Sequence, residues 1–164
     1  MSAAAGAVIR EARLADLPAI VGLHAADQGF GQGDAWSPEA EADYRRAFQS
    51  LADHPDHVLY VAEDAGEVVG SLLLSFMPGL TGRGALHAVL RSVQVRGDQR
   101  SRGVGARMVA AAEAEAARRG ARVCELMSNA GRTDAHRFYE RLGYAKSHAG
   151  FKKRLPAAAT FVPG

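Results

Sequence analysis

A long strand followed within a few residues by a long helix most restricts how this sequence can fold. Residues 86–95 read LHAVLRSVQV, an apolar and β-branched run that alternates over its second half, as in a strand with one buried face. Residues 103–119 are predicted to form a helix, which Gly120 ends. The apolar residues of this helix recur along one stripe, at Val104, Met108, Ala112 and Ala116. The pair predicts a central strand leading into a helix on the face of a sheet.

The remaining elements extend this unit on both sides. Strands are predicted at residues 7–12, 57–63, 67–76 and 122–127, with a terminal strand pair, broken near Gly150, at 144–155. Helices are predicted to start at Asp16, Ser37 and Thr133. The order βααββββαβαββ predicts an α/β (α+β) fold with one mixed sheet of six to seven strands and helices on both faces.

Length and composition fit a single domain. The chain has 164 residues, of which 48% are apolar, enough for one core but not for two ordinary domains. We predict one domain over residues 1–156. Residues 157–164 have no periodicity and form a tail that is either disordered or used at an interface. Open sheet edges and this apolar tail favour a homodimer.

Charge and cysteine content argue against several functions. The net charge is only +2 and the arginines are scattered, whereas nucleic-acid binding favours a clustered basic face. No apolar run approaches membrane-spanning length, and the first residues lack the pattern of a secretory signal. Cys124 is the only cysteine, so an intramolecular disulfide is impossible and a reducing compartment is expected. We therefore predict a cytoplasmic protein that binds neither nucleic acid nor a membrane.

The turn between the long strand and the long helix has the residues of an anion site. Arg100 and Arg102 precede Gly103 and Gly105, which open the helix. A helix N-terminus attracts anions, glycines let a ligand approach the backbone, and arginines add charge-assisted hydrogen bonds. The spacing matches neither the dinucleotide-binding fingerprint nor the P-loop. The alternative is a helix start whose glycines serve packing and whose arginines are solvated.

Two blocks of sequence resemble the GCN5-related N-acetyltransferase (GNAT) superfamily. Arg100-Ser101-Arg102-Gly103-Val104-Gly105 is similar to the family's Q/R-x-x-G-x-G/A after a strand with alternating valines. Residues 135–144, AHRFYERLGY, are similar to its A-x-x-F-Y-x-x-x-G-[FY]. The resemblance covers nearly the whole chain. It implies an N-acetyltransferase that uses acetyl-CoA as cosubstrate and acetylates a primary amine of a small molecule.

The same resemblance implies roles for individual residues. Amides of the turn would hold the pyrophosphate of coenzyme A, and the strand before it would pair with the pantetheine arm, with an N–H near Val95 against the thioester oxygen. Tyr139 would act as general acid toward the departing thiolate; otherwise it is a core residue of an amphipathic helix. The implied cofactor-binding residues are Val93, Val95, Arg100, Arg102, Gly103, Val104, Gly105, Ala106, Asn129 and Phe138.

The general base departs from the family pattern. Many relatives have a glutamate two residues before the first of the paired valines, and Arg91 stands at that place. Arginine cannot act as a base at ordinary pH. Another residue or an ordered water therefore takes the proton, or the acceptor has a low pKa. His87 would share a face with Arg91 in a regular strand and is the first catalytic candidate, ahead of His24 and Glu63.

Two other features concern the acceptor. Arg91 is a candidate for recognising an anionic group such as a carboxylate or phosphonate, and its alternative is a surface or ion-paired arginine. Trp36 and Phe30, between the first two helices, are candidates for lining the acceptor pocket, although Trp36 is equally suited to a hydrophobic staple. The identity of the acceptor is not readable from these residues.

Other interpretations of the chain remain open. A GNAT fold that binds acyl-CoA without catalysis fits the missing glutamate, while Tyr139 argues against it. An acetyltransferase for protein N-termini or lysines is a further alternative. His54 and His57 superficially resemble a metal pair, but Pro55 between them favours a loop, so we expect no metal site.

Overall fold

A computed structural model describes residues 6–27 and 32–156. The predicted tail at 157–164 and Phe30 lie outside the described residues. The strands are β1 (Val8–Glu11), β2 (His57–Asp64), β3 (Glu67–Pro78), β4 (Leu86–Val95) and β5 (Val123–Leu126). The helices are α1 (Leu17–Ala25), α2 (Pro38–Ala52), the single turn α3 (Thr81–Gly84), α4 (Val104–Arg118) and α5 (Thr133–Arg141).

The five strands form one mixed sheet in the order β1-β2-β3-β4-β5. All neighbours are antiparallel except β4 and β5, which are parallel and joined through α4. On one face α4 packs on a core of fully buried side chains that includes Leu72, Leu74, Leu90 and Met108. Helix α1 contacts β3 and β4 and buries Leu17, Ile20, Val21 and Leu23. The α/β fold with helices on both faces is therefore confirmed.

Local signals located the helices well. Ser37 caps α2, because its hydroxyl accepts a hydrogen bond from the Ala40 amide at 3.2 Å, and Pro38 is the first helical residue. The predicted stripe of α4 is buried at all four positions. Gly120 follows α4 with a φ of +80°, the left-handed conformation expected after a helix. No helix in the described ranges is long and apolar enough to cross a bilayer.

The predicted strand count was too high. Three strands rather than four lie between α2 and α4, and residues 145–156 form neither strand nor helix. The predicted terminal pair at 144–155 was therefore wrong in this structure. The segment offers only Phe151 and Leu155 as large apolar side chains, around a basic run at 152–154, and these two are 96% and 80% exposed. Such a pattern provides no continuous face to bury against a neighbouring strand.

A buried carboxylate fixes the start of α1 on the sheet. Asp16 is 9% exposed. Its carboxylate accepts hydrogen bonds from both terminal nitrogens of Arg10, at 2.8 and 2.9 Å, and from the Arg13 amide at 2.7 Å. Arg10 holds the pKa of Asp16 below its ordinary value. The stabilisation is therefore present above the unfolded-state pKa and is lost as the pH falls through the folded-state pKa.

We expect Asp16→Asn to lower the free energy of unfolding by about 2 kcal/mol at pH 7, because hydrogen bonds to charged groups contribute about 1.5–3 kcal/mol. Urea unfolding at pH 7 and pH 3 measures this, and the difference from wild type should shrink at pH 3. Asp43→Asn is the control, since Asp43 pairs with Arg46 on an exposed face of α2 and should change stability by less than about 0.5 kcal/mol. An equal loss at both pH values would contradict the assignment to ionised Asp16.

Candidate active site

A bulge in β4 decides which side chains face which helix. Across the β3–β4 pairing Leu73 lies opposite Arg91 and Ser71 opposite Gln94, so Ser92 and Val93 together face Leu72. Ser92 has a φ of +52°, as a bulged residue often requires. Leu90 belongs to the core beneath α4, and beyond the bulge Val93 packs against that core. Side chains alternate along a strand, so Arg91 and Gln94 face the α1 side instead.

The same strand separates from its neighbour at its carboxyl end. Residues 87–90 of β4 pair with 123–126 of β5. Residues 91–95 have no strand partner on that side within the described ranges. Exposed strand edges accept extended ligands through main-chain hydrogen bonds. The end of β4 can therefore bind an extended chain that carries amide groups.

The turn after β4 leaves the amides of a helix start without side-chain caps. Ser101 and Gly103 have φ values of +62° and +81°, and Gly103 precedes α4 with no side-chain cap hydrogen bond. The first amides of a helix have no partner within the helix and attract anions. Left-handed φ at Gly103 explains why glycine stands there. The predicted anion-binding turn thus has the backbone geometry that such a site requires.

Arg100 and Arg102 in the turn are not neutralised by a carboxylate among the described residues. Arg100 donates from Nε to the Val95 carbonyl oxygen at 3.3 Å, and Arg102 donates to Gln99 Oε1 at 3.2 Å. Both acceptors are neutral, and both arginines are exposed. Arg96, by contrast, pairs with carboxylates on both sides of it. Arg100 and Arg102 are therefore the turn's cations that can still balance a bound anion.

Gly105 lets α5 approach the start of α4. A Cβ at this position would lie 3.2 Å from the ring of Phe138, so any side chain would force that ring to shift. Phe138 and Tyr139 have ring centroids 5.0 Å apart in an edge-to-face arrangement. The close approach of Gly105 thus places the aromatic pair of α5 beside the anion-binding turn.

Tyr139 has the ionisation state of a proton donor. Burial raises the pKa of its hydroxyl above the ordinary value, while the charge of Arg132 acts in the opposite direction. The phenol therefore stays protonated at neutral pH. Within the described residues its hydroxyl has no hydrogen-bond partner, so it is able to donate a proton to a bound group.

A cleft lies between α1 and the end of β4, and a charged network borders it. The cleft has a volume of about 610 Å³. Asp27, just after α1, accepts a hydrogen bond from Gln94 Nε2 at 2.9 Å and forms an ion pair with Arg132 before α5. The lining residues are Ala19, Gly22, Leu23, Ala26, Asp27, Val68, Val95, Arg96, Gly97 and Arg100.

The candidate bases from the sequence lie in separate places. His87 is 3.3 Å from Glu125 in the closed part of the β4–β5 pair, about 20 Å along the strand from Val93. Glu63 pairs with Arg10 at the β1–β2 edge. His24 lies in α1, where burial lowers its pKa and favours the neutral imidazole. The structure therefore brings neither His87 nor Glu63 to the cleft.

The remaining candidate residues from the sequence are Arg91, Trp36 and Asn129. Arg91 is exposed and has no ion pair among the described residues. Trp36 stacks on Tyr44 with ring centroids 6.1 Å apart. Asn129 forms a turn, with its Oδ1 accepting the Gly131 amide at 2.9 Å. Within residues 6–27 and 32–156 no cluster of metal-ligating side chains occurs.

Sequence reasoning missed Asp27, Gln94 and Arg132. They come from three distant parts of the chain, and 105 positions separate Asp27 from Arg132. One local signal was available: an aspartate just after a helix opposes the helix dipole and calls for partners elsewhere. Nothing in the sequence indicated which partners those are.

Comparison with known proteins gives consistent results. The family model described as Acetyltransferase (GNAT) family matches residues 19–144. Aminoalkylphosphonate N-acetyltransferase from Salmonella typhimurium is 40% identical over 118 residues, 70% of this chain and 76% of that protein. A solved structure from Bacillus halodurans, described as a transcriptional regulator, is 33% identical with a TM-score of 0.87, over 91% of this chain and 99% of that one.

One solved structure of similar fold contains acetyl-CoA. A predicted acetyltransferase from Clostridium acetobutylicum, solved with acetyl-CoA, has a TM-score of 0.70 over 90% of this chain and 96% of that one. It is 15% identical, so the likeness shows a shared fold alone.

Proposed function

The chain belongs to the GNAT family of acetyltransferases, and from that premise we propose that it transfers the acetyl group of acetyl-CoA to the primary amine of a small molecule that also carries an anionic group. The observation that carries the proposal is the edge of β4 at residues 91–95, which has no strand partner on the β5 side in the described ranges and leads through a short turn into the uncapped start of α4. A main-chain edge followed by an anion site suits pantetheine followed by pyrophosphate.

The cofactor half of the site uses backbone groups for most of its contacts. The amides from Gly103 to Ala106 receive the pyrophosphate, Arg100 and Arg102 add charge, and the edge of Val93 and Val95 holds the pantetheine amides. The N–H near Val95 stabilises the oxygen of the thioester as negative charge develops on it. Phe138 forms an apolar wall beside the cofactor, and Asn129 shapes the turn that faces it.

The transfer itself is a direct displacement. The ammonium group of the acceptor first loses a proton to water. The resulting neutral amine attacks the thioester carbonyl, a C–N bond forms, the C–S bond breaks, and the thiolate receives the proton of the Tyr139 hydroxyl. The attacking nitrogen then loses a proton to water, and the Tyr139 phenolate takes up one proton from water, which restores the phenol. Holding both reactants in line supplies much of the rate, and the cleft beside α1 meets the proposed cofactor edge of β4 at Val95.

The proposed acceptor class rests on charge. Arg91 is exposed, lies on the α1 side of β4 and is without a carboxylate partner in the described residues, so it is suited to an acidic group. The relative from Salmonella typhimurium is an aminoalkylphosphonate N-acetyltransferase, and aminoalkylphosphonates combine an amine with such a group. A plain alkylamine lacks the contact and should be a poorer substrate.

Acetyl-CoA turnover with an amine panel tests the proposal, with released thiol as the readout. We expect turnover with 2-aminoethylphosphonate or an amino acid and much less with ethylamine. Tight binding of acetyl-CoA with no turnover for any amine would instead support the non-catalytic module. Turnover confined to peptides would support a protein acetyltransferase.

For Arg91→Ala we expect KM for anionic acceptors to rise about tenfold, because a partly exposed charge-assisted hydrogen bond contributes roughly 1.5 kcal/mol. KM for ethylamine and for acetyl-CoA should not change. Arg118→Ala removes the same charge at the far end of α4, where the exposed Arg118 side chain pairs with Glu115, and serves as the control. Unchanged KM for every anionic acceptor would show that Arg91 does not bind the acceptor.

A further inference from the structure

Asp27 occupies a position where a negative charge is energetically unfavourable. It lies just past the carboxyl end of α1, where the helix dipole disfavours a negative charge, and its side chain is only 11% exposed. A carboxylate in such a place needs partners to offset its lost hydration. It also lines the cleft beside β4. Burial, unfavourable dipole and cleft location together favour a functional reason for this residue.

The two oxygens of the Asp27 carboxylate differ in their contacts. Oδ2 receives both partners, the Gln94 amide at 2.9 Å and the Arg132 guanidinium. Oδ1 has no partner in the part of the chain that the structure describes, and it is not sealed from solvent. An ionised carboxylate offers about four acceptor positions. One oxygen is thus anchored to β4 and to the start of α5, while the other can accept a ligand.

We propose that Asp27 Oδ1 binds the ammonium group of the acyl acceptor, and that Gln94 and Arg132 are positioning residues that fix the carboxylate. The inference rests on the proposed function and names a residue for its acceptor half. Gln94 adjoins Val95, whose backbone faces the thioester in the proposed mode. Arg132 acts electrostatically on Tyr139. The network therefore connects the amine site with both ends of the reacting bond.

This assignment also explains how a chain with Arg91 at the usual glutamate position can select an amine. Arg91 is suited to the anionic end of the acceptor and Asp27 to the cationic end. Arg91 lies on the α1 side of β4, and Asp27 comes just after α1 itself. A zwitterionic acceptor matches the two charges, whereas an amine without the acid matches only one of them.

The test compares Asp27→Asn with wild type on two acceptors. The first is 2-aminoethylphosphonate, whose amine is an ammonium ion at neutral pH, and the second is methoxyamine, which is neutral there. We expect KM for the first to rise about ten- to hundredfold, the usual effect of losing a charge-assisted hydrogen bond. KM for methoxyamine should change by less than about threefold. Equal changes for both acceptors would overturn the proposal, because a structural defect does not distinguish their charges.

A matched variant and a binding measurement complete the experiment. Asp64→Asn removes the same charge at the β2–β3 hairpin and should leave both KM values unchanged. Asp27→Glu covers the case in which the asparagine variant does not fold, and it should show the same selective loss through a displaced carboxylate. Calorimetric titration of 2-aminoethylphosphonate into the coenzyme A complex needs no turnover. If wild type acetylates no amine, the proposed function fails, and equal affinities of wild type and variant in this titration separately refute the role of Asp27.

Discussion

Ala106→Glu is expected to weaken the binding of coenzyme A by about 10³-fold without destabilising the protein. Ala106 is the third residue of α4, where a glutamate is favourable because its carboxylate accepts hydrogen bonds from free amides and complements the dipole. The same carboxylate would occupy the place proposed for the pyrophosphate. Two like charges about 4 Å apart near a protein surface repel by about 4 kcal/mol, which corresponds to the stated loss.

Calorimetry of coenzyme A binding and thermal unfolding measure the two effects on the same samples. Ala106→Gln is the matched control, since it adds nearly the same volume without charge and should change the affinity only a few-fold. The loss in the glutamate variant should also shrink as salt is raised, because screening weakens exposed charge pairs. A glutamate variant that binds coenzyme A like wild type would mean that the turn is only a helix start with solvated arginines.

The backbone geometry of the turn proposed to bind an anion was predictable because its signals are local. The left-handed Gly103, the missing side-chain cap and the start of the apolar stripe of α4 all follow from residues within a few positions of one another. The structure adds a reason for Gly105 that the motif does not give: a Cβ there would lie only 3.2 Å from the Phe138 ring. That contact joins α4 to α5 and depends on the packing of distant segments.

The bulge in β4 could not be predicted, although it puts Arg91, proposed to bind the acceptor, on the opposite face of the strand from Val93 and Val95. Regular alternation would put Arg91 on the same face as Val93 and Val95. The extra residue at Ser92 reverses the order, so Arg91 turns toward α1 while the valines stay against the core. A positive φ at a serine has no distinctive sequence signal, since it is imposed by pairing with β3.

The long-range charge pairs were missed, and the terminal strands were wrongly predicted, for a related reason. Asp27 meets Arg132 only because the sheet brings α1 and α5 to the same end of β4. The predicted strands at 144–155 form no strand in the structure, because a strand needs a neighbouring edge with which to pair. Both cases depend on which distant segment packs against the side chain or the strand edge. A single sequence does not contain that information.

Tyr139→Phe should lower kcat by about 10²- to 10⁴-fold, the usual contribution of a positioned general acid. KM for acetyl-CoA should change little, because the proposed role concerns the departing thiolate and not the bound cofactor. Stability should be nearly unchanged as well, since the hydroxyl has no hydrogen-bond partner in the described residues and the ring packing against Phe138 and Tyr144 is kept. A marked loss of stability in Tyr139→Phe alongside the loss of kcat would indicate that Tyr139 has a structural role.

The pH profile separates this role from a general effect on the fold. Burial raises the pKa of Tyr139, so the acid form persists at neutral and mildly alkaline pH and is lost only as the pH passes the raised value. Wild-type kcat should therefore show an alkaline decrease that the phenylalanine variant lacks. Tyr144→Phe is the matched control: its hydroxyl donates to Glu113 at 2.8 Å, so its removal should reduce stability and leave that decrease in place. An alkaline decrease retained in Tyr139→Phe would assign the proton to another group.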